Sequence, residues 1–287
     1  MILASHPHYA AHLAPVARLL PDLPDVAVVA GYPDVREASR RGFRRIVLMQ
    51  HGAGQSYGID HPHYPGGRGN EAVGLFLVPN EHAAERWRAK YPHARVEVVG
   101  CPRLDDLPAR EPGPPTVAVA FHWDAWVAPE TRSAFAWFRE ALPGLARSFR
   151  VIGHGHPRRS DLAAAYARMG IEWVPDFDEV CRRADLLVFD NTSAGFEFAA
   201  TGRPVVVLNA PWYRRDVDLG LRFWEAASVG LQVDRPELLA ETVRCSLMPS
   251  HEAELRRRRE AALRHVYAYR SGAAQRAAAA ITRWARG

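Results

Sequence analysis

Short apolar runs separated by longer amphipathic stretches recur along most of the chain, the rhythm of strands alternating with helices. In the first third, Ile2–Ser5, Val26–Ala30, Arg45–Met49, Leu75–Pro79 and Val96–Gly100 read as strands. His8–Leu20, Asp34–Arg41 and Glu81–Tyr91 carry apolar positions at helical spacing between them. The segment 50–70 breaks the rhythm. It is rich in glycine and histidine and has no period, so a long loop is expected there, of the kind that in a compact domain is usually functional.

Pro108, Pro112, Pro114 and Pro115, with Gly113, mark 102–116 as a linker. The alternation then restarts. Val117–Phe121, Phe149–Gly153, Ile171–Val174, Leu186–Phe189 and Val205–Leu208 read as strands. Pro129–Ala146, Ser160–Met169 and Phe177–Arg183 read as helices, and the tail from Pro236 to the end is helical in two or three pieces. Alternation on both sides of a linker predicts an α/β protein of two Rossmann-like domains, their parallel sheets facing across a cleft, followed by C-terminal helices. The expected boundaries are 1–110, 111–270, and a last helix over 271–287 that packs back on the N-terminal domain, with Trp284 as its anchor.

Composition narrows the class. With 48% hydrophobic and 24% charged residues among 287, the chain can bury two cores and is not disordered. The net charge of +5 comes almost wholly from arginine, Lys90 being the sole lysine, and suits an anionic partner without choosing one. Cys101, Cys181 and Cys245 are too far apart for a disulfide framework or a zinc knuckle, so a reducing cytoplasm is expected. Histidines interrupt the N-terminal apolar residues, unlike a signal peptide, and no run reaches the ~18 apolar residues of a membrane span.

Three clusters at strand ends carry candidate chemistry. Gln50-His51-Gly52 follows Arg45–Met49, placing an imidazole at the edge where α/β proteins bind ligands, as a general base or as a loop hydrogen bonder. Gly153-His154-Gly155-His156-Pro157-Arg158-Arg159 gathers donors suited to a phosphate, or forms a basic surface turn. No Asp, Glu or Cys stands beside its HxH to complete a metal site. In the third, Leu186–Phe189 opens into Asp190-Asn191-Thr192-Ser193 and then a short helix carrying Glu197, stopped by Gly202 and Pro204. Hydroxyls and helix-start N–H groups there can hold a pyrophosphate, or simply cap the helix. Glu197, a turn further on, is placed to accept hydrogen bonds from a ribose diol.

The spacing of Glu197, Ala200, Gly202, Pro204 and Val205 resembles the nucleotide-binding element of GT-B glycosyltransferases. Together with QHG at 50–52, GCPRLD at 100–105, GHP at 155–157 and DNTS at 190–193, the chain is most similar to the CDP-glycerol glycerophosphotransferase family, GT-B-like enzymes of teichoic acid and related polymer synthesis. That resemblance implies His51 as the base that deprotonates an acceptor hydroxyl and His156 as a contact to the donor's phosphates. Thr192 and Ser193 would hold the pyrophosphate with Asn191, and Arg158 would assist. Glu197 and Asp190 would serve the ribose or nucleoside, Asp190 equally as a structural residue, while Gly52, Arg103 and Asp105 would shape the cleft hinge. Asn191 stands where the family usually has tyrosine, and Glu197 where aspartate is more usual.

The implied activity transfers glycerol phosphate from CDP-glycerol to an acceptor hydroxyl, without metal and with no cofactor beyond the nucleotide-activated, CDP-linked donor. The implied partners are that donor and a hydroxyl-bearing polymer or lipid-linked acceptor. The expected location is the cytoplasm, with peripheral contact at the inner face of the membrane. A GT-B enzyme using a nucleotide sugar and a non-hydrolysing nucleotide-sugar epimerase are alternatives on the same fold. A basic polymer-binding protein is the non-enzymatic one, motivated by Arg256–Arg259; nucleic acid is not an expected partner because that run lies in a charge-mixed helix.

Overall fold

The computed structural model describes residues 1–54, 56, 61–124, 132–213 and 228–287. They divide into two compact units, 1–106 with 264–287 and 107–213 with 228–263.

In the first unit, β1 (Ile2–Leu3), α1 (Pro7–Ala17), β2 (Val26–Val29), α2 (Tyr32–Arg40), β3 (Arg45–Met49), β4 (Val73–Val78), α3 (Glu81–Lys90) and β5 (Arg95–Val98) build a parallel sheet of order β1-β2-β3-β4-β5. Its inner strands β2, β3 and β4 read as nearly continuous apolar runs because both faces are covered. Val26, Val28 and Ala30 pack with Tyr9, Leu13 and Val16 of α1. Ala27 and Val29 face the other way, toward Val35 and Ala38 of α2 and Trp87 of α3. The β1–β2 and β2–β3 crossovers advance in the same direction, yet α1 and α2 lie on opposite faces, so the two have opposite hands despite the strong right-handed preference of such units. The loops leaving β1 and β2 therefore depart to opposite sides of the sheet, the condition for a ligand crevice at the strands' carboxyl ends.

The chain's last helix belongs to this unit. In α11 (Ala273–Arg286), Ala274, Ala277, Ala278 and Ile281 form a buried stripe on the α1 face. Trp284 lies so close to Gly74 that a Cβ there would sit 2.5 Å from the indole. Asp105, in a 3-10 turn over Pro102–Asp106, accepts the N–H groups of Gly272 and Ala274, both at 2.7 Å. A carboxylate at a helix start satisfies two orphan donors and complements the dipole. Asp105→Ala is expected to lower stability by about 1–2 kcal/mol, read as a shift in the urea midpoint.

The second unit comprises β6 (Thr116–Phe121), α4 (Phe135–Phe138), α5 (Leu142–Ser148), β7 (Arg150–Gly155), α6 (Asp161–Arg168), β8 (Glu172–Trp173), α7 (Phe177–Arg183), β9 (Leu186–Phe189), α8 (Ala194–Ala200), β10 (Val205–Leu208), β11 (Leu231–Val233) and α9 (Leu239–Ser246), with α10 (Pro249–Val266) as far as Leu263. All its strands are parallel, in the order β8-β7-β6-β9-β10-β11. The chain starts at the centre with β6, runs outward to β8, then returns to the other flank of β6 with β9. That order is the doubly wound dinucleotide-fold pattern, and its topological switch point lies between β6 and β9.

Two sequence expectations are corrected here. The single helix expected over Pro129–Ala146 is instead α4, a 3-10 turn at Arg139–Ala141, and α5, residues 129–131 lying outside the described ones. Pro143 in the first turn of α5 has no N–H to continue a longer helix, so the chain restarts there. The β7 strand also runs two residues further than expected, through Gly155, because Phe121 pairs with that residue.

Candidate functional site

At the edge of the first unit, Gln50 continues β3 by donating its N–H to the Leu77 carbonyl, and its buried amide oxygen accepts from the Trp87 indole at 3.2 Å. His51 follows. Its Nδ1 lies 2.9 Å from the carbonyl oxygen of Ala30, at the end of β2. A carbonyl can only accept, so Nδ1 carries the proton and the neutral ring keeps its lone pair on Nε2, the form a general base needs. Gly52, at φ 67°, takes the left-handed turn that follows, a conformation few other residues adopt without strain.

The rings of Tyr9, His12 and His8 surround His51 at 4.9, 5.8 and 5.9 Å between centroids. Tyr9 reaches this position because Gly31 has no side chain: a Cβ there would meet the phenol ring at 2.5 Å. His12 is buried with its Nδ1 3.9 Å from the Cys101 thiol. Burial first, then the electrostatic influence of His51, Arg103 and His8, pushes its pKa well below the ordinary 6.5. Arg103 is itself buried in the 3-10 turn that holds α11, and Asp105 is committed to that helix.

In the second unit, the pairing of Phe121 with Gly155 leaves His122 and His156 as the next residues at the carboxyl ends of β6 and β7. Their rings are 5.3 Å apart. The His156 Nδ1 accepts the backbone N–H of Arg158 at 3.1 Å, so the neutral ring carries its proton on Nε2 and offers a donor. The two histidines named as candidates thus have opposite tautomers.

The neighbouring basic residues differ from one another in the same way. Arg158 is exposed, with its guanidinium 4.8 Å from the Trp123 ring centroid. Arg159 is committed to Asp161 at 2.7 Å and Asp124 at 3.3 Å, and the Asp161 hydrogen bond raises its pKa. His154 is turned into the core, its Nδ1–H donating to the Val174 carbonyl at 2.8 Å. Burial lowers its pKa despite that bond.

For both His12 and His154 the unfolded chain binds a proton more readily than the folded one. Stability is therefore expected to be level above about pH 6.5 and to fall as pH drops below it toward the depressed native values. Urea unfolding against pH checks this, and His154→Gln should make the decline shallower.

At the end of β9, Asp190 is 1% exposed. Its Oδ1 accepts the His122 N–H at 2.9 Å, and its Oδ2 accepts from Ser133 Oγ at 3.2 Å and the Ala134 N–H at 3.0 Å. Through these contacts Asp190 ties His122 to Ser133 and Ala134. Asn191 is buried beside it, and Thr192 and Ser193 are half-buried at the start of α8, where the Ser193 hydroxyl makes no capping bond. Gly195 lets α8 close onto β9, since a Cβ there would lie 2.1 Å from the Phe189 ring. Glu197 is 3% exposed on that helix.

Of the predicted residues, His156, Asp190, Asn191, Thr192 and Ser193 gather at the switch-point edge, with Arg158 beside them. His51 and Gly52 occupy the carboxyl edge of the other sheet, and Arg103 and Asp105 lie in the 3-10 turn of that same unit. His122 and Trp123 escaped the sequence reading, although they follow the apolar run Val117–Phe121 as His51 follows Arg45–Met49. Among the described residues no group of three His, Cys, Asp or Glu could hold a metal ion, and no helix is long and apolar enough to cross a membrane. A cavity of about 200 Å³ beside Asp185, Gly202, Pro204 and Arg259 lies at the opposite, amino-terminal edge and contains none of the predicted site residues. Arg256, Arg257 and Arg258 pair with Glu252 and Glu254 along their own helix, and Arg259 turns inward to the Gly202 carbonyl, so the arginine run is no continuous basic face.

Two parallel sheets with helices on their faces, one of them doubly wound, define an α/β protein of GT-B-like fold. No protein-family model matches the chain, and no curated protein matches it in sequence. Solved structures do. The wall teichoic acid polymerase TagF soaked with CDPG for 15 minutes superposes with a TM-score of 0.62 at 14% identity, over 91% of this chain and 72% of that one. A putative UDP-N-acetylglucosamine 2-epimerase from Listeria monocytogenes gives 0.62 at 15% identity, over 100% of this chain and 96% of the other. The S. aureus MnaA–UDP co-structure gives 0.57 at 12% identity, covering 95% and 79%. The shared property at these identities is the fold.

Proposed function

We propose that the protein is a GT-B-type transferase that takes a nucleotide-activated donor, and that the group it transfers is glycerol phosphate from CDP-glycerol. The observation that carries this reading is the opposed tautomers of its two edge histidines: His51 keeps an acceptor nitrogen, and His156 keeps a donor. A transfer to a hydroxyl needs one group to remove the hydroxyl proton and others to bind the phosphates. The acceptor O–H proton passes to Nε2 of His51 as the oxygen attacks the β-phosphorus. The bond from that phosphorus to the bridging oxygen breaks, and CMP leaves. His156 Nε2–H, the Thr192 and Ser193 hydroxyls and Arg158 offset the charge on the diphosphate, the main protein contribution in phosphoryl transfer. Glu197 serves the ribose. The acceptor is a hydroxyl-bearing polymer or a lipid-linked one, met in the cytoplasm at the inner face of the membrane.

A non-hydrolysing nucleotide-sugar epimerase is the second reading, favoured by the near end-to-end match to the Listeria protein. A thermal-shift series with CDP-glycerol, CMP, UDP and UDP-N-acetylglucosamine separates them, because a ligand that binds the native state raises the midpoint. The transfer of glycerol phosphate calls for a shift with the cytidine compounds; a shift confined to the uridine compounds would remove CDP-glycerol as the donor.

A further inference from the structure

We propose that the amino-terminal edge of the first unit holds the phosphodiester chain of a polyol-phosphate acceptor, a proposal that rests on the transferase reading above. The protein's surplus positive charge lies wholly in this unit. Residues 1–106 and 264–287 carry 17 Arg and Lys against 11 Asp and Glu, a net +6. Residues 107–213 and 228–263 carry 17 against 18, a net −1.

Within the unit the charge gathers at one end of the sheet. Arg44 and Arg45 stand where β3 begins, and Arg95 where β5 begins. Arg40 and Arg41 close α2 on one face of the sheet, and Arg283 and Arg286 close α11 on the other. Contacts join them into one band. The Phe43 N–H donates to the Ala38 carbonyl, tying the end of α2 to β3, and Arg45 donates to the Ala285 carbonyl of α11. Helix dipoles favour cations at the ends of α2 and α11, but they do not account for arginines at the starts of two strands. Carboxylates are too few to neutralise the band. Glu37 is shared by Arg40 and Arg41, and Glu97 by Arg95 and Arg283, while Glu71 before β4 is the third acid of this end. Arg44 and Arg286 are exposed and pair with no carboxylate among the described residues.

The rest of the band's composition selects the partner. Its rings, Phe43 and Trp284, are packed on the core, so they give nucleic-acid bases no platform to stack on. Among the described residues, no exposed large hydrophobic side chain lies in the band. Leu19 belongs to the β1–β2 crossover, with Asp22, so the arginines lack the apolar partners that insert into a bilayer. A hydrated polyanion without bases needs only the charges. Arg45 opens the strand that His51 follows, about 20 Å away at ~3.3 Å per residue. An acceptor chain several times longer than that span can lie on the arginines while its terminal hydroxyl reaches His51; a shorter one meets His51 alone.

Initial rates of the full chain with CDP-glycerol and two glycerol-phosphate oligomers, one shorter and one several times longer than this span, test the proposal. Wild type is expected to have the lower KM for the long oligomer. With three phosphates engaged, that KM should rise about 20-fold between 50 and 200 mM salt, while the short oligomer's stays nearly level. Removing three charges together, Arg40→Gln with Arg44→Gln and Arg286→Gln, should raise the long-oligomer KM about tenfold at low salt. It should leave kcat, the short-oligomer KM and the urea midpoint unchanged. The same removal on α10, Arg256→Gln with Arg257→Gln and Arg258→Gln, should do none of this. A wild-type KM indifferent to length and salt, or equal losses in the two triple variants, overturns the proposal and leaves the transferase reading intact. So does tighter binding to single-stranded DNA or to phosphatidylglycerol vesicles than to the long oligomer at equal phosphate. Transfer to neither oligomer overturns both.

Discussion

His51→Ala is expected to lower kcat/KM by about 10²–10⁴-fold, the range spanned by loss of a positioned general base. The protein should still fold, because the ring is only half-buried at a strand end. His51→Gln separates base chemistry from loop anchoring: its amide N–H can replace Nδ1–H toward Ala30 but cannot take up a proton, so it should be as inactive as alanine. Steady-state rates with the donor, alongside unfolding midpoints of both variants, make the measurement. Near-normal turnover in either correctly folded variant would remove His51 from the chemistry.

Asp190→Ala is expected to cost about 3 kcal/mol of stability and to weaken donor binding at the same time. The substitution leaves a buried and a partly buried backbone N–H and a buried serine hydroxyl without this acceptor, and an unmet buried donor costs about 1–3 kcal/mol, less than additively when the groups are neighbours. The residue that follows β6 loses its brace as well, so donor binding should weaken even where the variant remains folded. Urea unfolding gives the first effect and calorimetry the second. A change within ±0.5 kcal/mol, typical of a surface substitution, would mean that Asp190 does not hold this edge together.

The alternation of elements was legible because the central parallel strands are buried on both faces and therefore appear as unbroken apolar runs, as in Ile46–Met49 and Leu186–Phe189. His51 and Asp190–Ser193 could be singled out for the same reason, since a polar residue directly after such a run falls at the carboxyl edge. His122 obeys that rule but sits in Phe121-His122-Trp123 with no glycine or hydroxyl neighbour to draw attention to it. The roles of these residues depend on partners far away in sequence: Asp190 meets residues 56, 57 and 68 positions earlier, and His51 meets Ala30 across two strands. Tautomers set by such contacts have no local signature. Nor does the choice of faces that gives the β1–β2 and β2–β3 crossovers opposite hands, or the inward turn of Arg259 out of an arginine run that reads as uniformly exposed.

The most direct test follows the products when the enzyme is given CDP-glycerol and a polyol-phosphate acceptor, with ³¹P NMR and nucleotide chromatography read on one sample. Acceptor-dependent release of CMP, matched by a new phosphodiester resonance and abolished in His51→Gln, is the expected result. Conversion of UDP-N-acetylglucosamine to its epimer with no acceptor present, and no CMP from CDP-glycerol, would contradict glycerol phosphate transfer and make the protein an epimerase.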